Sequence, residues 1–286
     1  MGRATYDLIE PTTRTTSVIF ASPHSGRDYF PRFLRESVLD EMQIRSSEDA
    51  FVDRLFADAP LFGAPLIAAS APRAFVDLNR SPDELDPALI EGVRRAGHNP
   101  RVTSGLGVVP RVVSNGRAIY SGKIGMAEAQ ARIEQFWHPY HAALAGLVQS
   151  QVERFGEAIL IDCHSMPHEA IDSAGTRGTP HPEVVLGDRF GAAAGSGVME
   201  RVEAAFAGAG LRVVRNTPFA GAYTTQHYGR PSRGQHVIQV ELDRALYMNE
   251  RELVPHAGFE AFRTVLRSVI AEIVDIGRAD LPLAAE

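Results

Sequence analysis

The sequence predicts an α/β protein with a mixed, largely parallel sheet flanked by helices. Two observations carry that prediction. Short apolar runs alternate along the chain with longer stretches whose apolar residues recur at helical spacing. Two of the runs, "SVIFASPHSG" and "EAILIDCHSMP", also end alike, in a His-Ser pair closed by Gly or Pro. Open α/β sheets bind ligands at the carboxyl ends of their strands. Two strands ending in His-Ser therefore suggest two halves of one site.

Residues 18–21 form a β-branched and aromatic run closed by Pro23 and Gly26, which reads as a buried strand. Residues 49–59 place Phe51, Val52, Leu55 and Phe56 at helical spacing, with Ser46 and Ser47 as candidate caps. Residues 65–69 and 75–78 read as further strands. Residues 81–116, rich in Pro, Gly, Arg and Asn, read as a functional loop. Residues 127–155 carry a helical apolar stripe from Ile133 through Leu144 to Phe155. Pro139 should kink or split that helix, because it lacks an N–H and crowds the preceding turn. There follow a strand at 158–163, a polar loop near 166–182, a helix near 198–209, strands at 211–214 and 237–242, and a final helix near 257–276. No repeat, low-complexity segment or linker is evident, so residues 1–286 read as a single domain.

A chain of 286 residues is long enough for a sizeable core. The net charge of -6 argues against nucleic acid or an anionic membrane as the main partner. It leaves room for a local basic pocket that takes a small acidic molecule. The lone Cys163 excludes an intramolecular disulfide and a CxxC metal site. No apolar core of signal-peptide length occupies residues 1–7, and no run approaches a membrane span. The expectation is a cytoplasmic protein.

His24, His164 and Glu241 each fall at or near a strand end. Imidazole and carboxylate are what Zn²⁺ takes from a protein that offers no thiolates, and three such ligands leave one position open for chemistry. A single histidine after a strand is ordinarily a hydrogen-bonded loop residue, but two in matching positions favour a metal. Asp162 lies two residues before His164 on the same strand face, placed to support it as a carboxylate partner. Cys163 then points the other way, into the core. Asp49, Glu48 and Asp53 are rivals for the third ligand, and Asp49 has an alternative use as a helix N-cap. Glu241 is an acid within the apolar run "HVIQVEL". Such a carboxylate is costly unless it is paired, liganded or catalytic. His138 and His141 share a helical face, but their aromatic neighbours favour packing over metal binding. "GSG" at 195–197 lacks the strand context of a phosphate loop, and no G-x-S-x-G elbow is present.

The segments "SPHSG", "PRAFVDLNR", "IDCHSMP", "VVLGDRFG" and "IQVELDRALYM" together resemble the N-formylglutamate amidohydrolase family, over about residues 17–275. That family is similar to zinc carboxypeptidases and aspartoacylase-type deacylases. The resemblance implies a zinc-exopeptidase (phosphorylase/hydrolase-like) architecture over residues 1–286. In those relatives the chain order is metal His, metal acid, Arg, Asn-Arg, metal His, catalytic Glu. The matching order here is His24, Asp49, Arg73, Asn79-Arg80, His164, Glu241. There is one departure. Carboxypeptidase-like enzymes carry the acid three residues after the first histidine, where this chain has Arg27. Asp49 is the best match to the formylglutamate-type pattern.

The implied reaction is hydrolysis of an N-formyl or N-acyl amino acid, N-formyl-L-glutamate foremost, with a single Zn²⁺ per chain. A place in histidine breakdown would rest on family analogy alone. By the same resemblance His24, Asp49 and His164 hold the metal, Glu241 moves the proton, and Arg73 faces the developing oxyanion. Arg80 grips a substrate carboxylate and Asn79 adds a donor. If residues 75–78 continued as a strand, Arg80 would point away from Asp77 and Asn79; a turn after Leu78 removes that objection. A second substrate carboxylate needs a second cation, and Arg111, Arg230, Arg233 and Arg244 are available. Two rival readings are a metal-free hydrolase built on Ser165 or Ser25, and a non-catalytic binder of small acidic ligands. Adjacent residues on a strand diverge, which disfavours a Ser165–His164 pair. The metal-site histidines and Glu241 disfavour the binder.

Overall fold

The computed structural model describes residues 4–94, 99–172 and 181–278. Seven strands form its main sheet: β1 (Tyr6–Ile9), β2 (Val18–Ser22), β3 (Leu66–Ala69), β4 (Ala158–Met166), β5 (Val184–Gly187), β6 (Val213–Arg215) and β7 (Gln235–Asp243). Their spatial order is β1-β3-β2-β4-β7-β5-β6. The centre β3-β2-β4-β7 is parallel throughout. β1 runs antiparallel to β3, and β5 antiparallel to β7, so the sheet is mixed.

Alternate residues of the central strands enter two cores, as the period of two requires. Phe20, Ile161, Cys163, Val240 and Leu242 face the helices Ser196–Gly208 and Phe259–Ile276, meeting Phe206, Leu266 and Ile273. Ile19, Ala21, Leu160 and Val237 face the helix His138–Phe155 through Leu144, Leu147 and Val148. Each buried Val, Leu, Ile or Phe among them contributes about 1.5–3 kcal/mol. Helices on both faces explain why β2 and β4 are buried from end to end. Among the described residues, no helix is long and apolar enough to cross a membrane.

Several expected elements change. The stretch expected as one helix over 127–155 is divided into Met126–Arg132, a π-helical turn Ile133–Trp137 and His138–Phe155. The π-helical turn immediately precedes Pro139, and the backbone stays helical across Trp137 and His138, so the proline is accommodated by a local widening of the helix. The helix expected over 49–59 is only Val52–Leu55, because Phe51 takes a left-handed backbone (φ 68°) and cuts Asp49 off from it. Asp49 is therefore no helix cap. Residues 75–78 are not a strand: the amides of Phe75 and Val76 turn back onto the Pro72 carbonyl at 2.9 and 3.3 Å. β1 and β5 were not expected as strands; each is only four residues long. The loop expected near 166–182 falls partly outside the described residues, and inside them His168–Asp172 is helical.

Candidate active site

The site lies at the carboxyl ends of β2, β4 and β7. His24 follows the last residue of β2 in a turn. Parallel register sets Ala21 beside Asp162 and His164 beside Glu241. Asp49 arrives from a loop, where its amide donates to the His24 carbonyl at 3.0 Å. His24, Asp49, His164 and Glu241 are all buried.

One ligand atom from each of His24, Asp49 and His164 lies within 4.8 Å of the others. Asp49 Oδ2 is 2.9 Å from His164 Nδ1 and 3.4 Å from His24 Nδ1. The outward nitrogens are held by other carboxylates. His24 Nε2 lies 2.7 Å from Asp77 Oδ1, and His164 Nε2 lies 3.1 Å from Asp162 Oδ2. A carboxylate behind each imidazole fixes the tautomer that leaves Nδ1 free to bind a cation, and raises its basicity. His24 Nδ1 is buried with no hydrogen-bond partner. Such an atom is costly unless something binds it.

The electrostatics agree with a cation-binding cluster. Burial pushes the Asp49 carboxyl upward, but contacts with His164 and His24 hold it well below the usual range. Burial likewise lowers His164, yet Asp162 and Asp49 outweigh it and raise the imidazole well above its ordinary value. Asp77 is held low against its own burial by Arg73, Arg80 and His24. Buried carboxylates that stay ionised call for positive charge in their midst. Arg244 supplies part of it from the far side. Its Nη2 donates to Asp49 Oδ1 at 3.1 Å and to the Glu48 carbonyl at 2.7 Å, which leaves Asp49 Oδ2 to the histidines.

Glu241 differs from these acids. Burial pushes its carboxyl up to about 7, with His164 opposing. One neighbour positions it: Gln239 Nε2 donates to Glu241 Oε1 at 2.8 Å. Asn79 ties the pieces together. Its Nδ2 reaches Asp162 Oδ2 at 3.3 Å and Gln239 Oε1 at 3.4 Å, and its Oδ1 accepts from the Thr224 amide at 2.8 Å. Asn79 was expected to offer a donor to substrate; it lines the cleft, and its side chain also braces Asp162, Gln239 and the Thr224 amide. Gln239 was not expected at all; its place two residues before Glu241 on one strand face was the available signal.

A cleft of about 550 Å³ opens over this cluster, with Arg73, Arg80, Arg101 and Arg244 on its walls. The turn at 72–80 replaces strand alternation, so Asp77, Asn79 and Arg80 all reach the cleft. Arg73 Nε donates to Asp77 Oδ2 at 3.0 Å. Arg80 is buried, with Nε on the Leu106 carbonyl, Nη1 on the Asn79 carbonyl and Nη2 4.0 Å from Asp77. Three of the expected cations, Arg111, Arg230 and Arg233, do not line the cleft. Arg111 is ion-paired with Asp86 at 2.8 Å and does not line the cleft. Arg230 is exposed and donates to the carbonyls of Gln226 and Gly229. Sequence spacing hides both outcomes, because the capturing partners are a distant acid and backbone oxygens.

The rivals for the third ligand are engaged elsewhere. Glu48 pairs with Arg45, and Asp53 pairs with Arg27, the residue at the departure from the carboxypeptidase pattern. Ser165 Oγ accepts from Arg244, and Ser25 pairs with Ser22; among the described residues no hydrogen bond joins either serine to a histidine. His141 is a packed core residue, bonded to Tyr228 and to the Leu78 carbonyl, while His138 is half exposed. Cys163 is buried on the opposite sheet face, and burial raises its thiol well above the ordinary value.

Fold and site together define an α/β protein with a mixed, mostly parallel seven-stranded sheet and a polar cleft at the carboxyl ends of its central strands. The sequence model of one family, N-formylglutamate amidohydrolase, matches residues 16–248. The chain belongs to that family. It is 29% identical over 272 residues to an N-formylglutamate deformylase of Pseudomonas aeruginosa, covering 91% of this chain and 94% of the relative. It is 30% identical over 246 residues to one of Pseudomonas putida, covering 82% and 83%. The crystal structure of N-formylglutamate amidohydrolase from Ralstonia eutropha JMP134 superposes with a TM-score of 0.90 at 32% identity, covering 96% of this chain and 99% of that one. A gene product of Agrobacterium tumefaciens, Atu2144, shares the fold with a TM-score of 0.63 at 17% identity.

Proposed function

We propose that this protein hydrolyses N-formyl-L-glutamate to glutamate and formate at a site that holds one Zn²⁺ on His24, Asp49 and His164. Membership of the family and the activity named for its Pseudomonas relatives support the substrate. The metal reading rests above all on the buried His24 Nδ1, which has no hydrogen-bond partner and faces Asp49 Oδ2 at 3.4 Å. Two imidazoles, one carboxylate and a carboxylate behind each imidazole fit zinc.

A bound Zn²⁺ supplies polarisation of the formyl carbonyl and a lowered pKa for water, to about 7. The chain's own residues do the rest. Glu241, on the strand beside His164, takes the proton of the attacking water. It returns that proton to the amine nitrogen as the C–N bond breaks. Burial raises its carboxyl, and a cation held beside it would draw it back toward the ionised form that a base needs. Gln239 holds it in place. Arg73, on the cleft wall, offers donors to the negative charge growing on the carbonyl oxygen. Arg80 offers its guanidinium to the α-carboxylate, so that the substrate is held by one end while its formyl group is attacked.

Metal analysis with activity tests this. Purified protein should carry about one Zn²⁺ per chain, lose deformylation on chelation and regain it on adding zinc. Full turnover of N-formyl-L-glutamate by metal-stripped protein would overturn the metal reading, and no turnover by zinc-loaded protein would overturn the substrate.

A further inference from the structure

Among the described residues, every arginine on the cleft wall but one has been given a partner by the fold. Arg73 pairs with Asp77, Arg244 with Asp49, and Arg80 is tied to two carbonyls and lies near Asp77. Arg101 is different. It is exposed, lines the cleft, and among the described residues no acid pairs with it. Its backbone is nonetheless well held. It lies in the short helix Pro100–Thr103, whose cap Asn99 accepts from the Arg101 and Val102 amides at 3.0 and 3.3 Å.

The same loop links Arg101 to Arg80. The Leu106 amide donates to the Arg101 carbonyl at 2.8 Å, and the Leu106 carbonyl accepts from Arg80 Nε at 2.9 Å. Leu106 therefore ties the Arg101 backbone to the Arg80 guanidinium on one wall. Gly105, at φ +85°, makes the turn that permits it. Arg80 also feels the charge of Arg101 directly: burial lowers its pKa first, and the positive charges of Arg73 and Arg101 add to that. Two neighbouring cations, only one of them near an acid, make a surface suited to a dianion.

We infer that Arg101 reads the side-chain carboxylate of the substrate, the partner of an α-carboxylate on Arg80, and that the pair selects N-formyl amino acids bearing two carboxylates. This deepens the proposed deformylation and rests on it. Arg111, Arg230 and Arg233 are excluded from the role by their place outside the cleft, and Arg244 by its engagement with Asp49.

The test compares N-formyl-L-glutamate with N-formyl-L-glutamine, which matches it in shape but lacks the second charge. Wild type should prefer the acid in kcat/KM. Arg101→Gln should lose most of that preference, through a KM for the acid raised on the order of 10- to 100-fold, the loss of a charge-assisted contact. Arg101→Lys should recover part of it, because charge returns without the planar fork. An acid-over-amide preference intact in Arg101→Gln, or lysine serving no better than glutamine, overturns the assignment while leaving deformylation standing. Wild type that cleaves neither compound overturns both.

Discussion

Replacing Glu241 with glutamine should pull stability and activity in opposite directions. The glutamine carbonyl can still accept from Gln239 Nε2, now 2.8 Å from Glu241 Oε1, so the side chain keeps its anchor. It has lost the ability to take a proton. General base and general acid roles are worth about 10²–10⁴-fold each, so turnover of N-formyl-L-glutamate should fall by at least that range, with zinc retained. The stability arm follows from linkage. Burial raises the carboxyl from 4.5 to about 7, so the folded state keeps a proton that the unfolded state gives up between those values. The group thus costs stability as pH rises from about 4.5 to 7. With 1.36 kcal/mol per pKa unit, the cost in metal-stripped protein approaches about 3 kcal/mol at pH 8 and is about 1 kcal/mol at pH 5. Glu241→Gln removes it. Urea unfolding of metal-stripped protein should show the variant more stable at pH 8, by on the order of 1 M in midpoint, with most of the gain gone at pH 5. Turnover near wild type would remove Glu241 from the chemistry. A stability difference that ignores pH would show that its burial does not impose the charge penalty.

His24→Ala and His164→Ala should each fail to retain zinc, since each removes one of three ligands; stoichiometric zinc in both variants would refute the cluster. Asp77→Asn keeps the shape behind His24 but weakens the pull on its Nε2 proton, and should lower zinc affinity by about 10–100-fold in chelator competition. An unchanged affinity would reduce Asp77 to a partner of Arg73. His141 is pushed by burial from 6.5 down to about 4, so the unfolded state takes up its proton first as pH falls. Stability should therefore drop by about 2 kcal/mol between pH 7 and pH 5 from this residue, and His141→Gln should flatten that part of the pH profile. A profile unchanged in the variant would mean that His141 does not set it.

The class of fold was legible because its signals are local. Apolar runs such as residues 18–21 and 158–163, set between helical stripes, need no knowledge of distant contacts. So were the strand-end positions of His24 and His164 and the shared face of Asp162 with His164, because a strand of period two and a parallel sheet impose them. Glu241 stood out as an acid in an apolar run. The rest depended on where loops meet. Asp49 reaches the histidines because its amide bonds the His24 carbonyl and Phe51 breaks the helix that spacing predicted. Asp77, Asn79 and Arg80 share the cleft because Pro72 turns residues that looked like a strand. Arg111 was lost to Asp86, and Arg101 gained its place through Leu106. A guanidinium carries the same charge anywhere in the chain. Which acid captures it, and which guanidinium is left lining the cleft without one, is decided by contacts between segments far apart in sequence, and those exist only once the chain has folded.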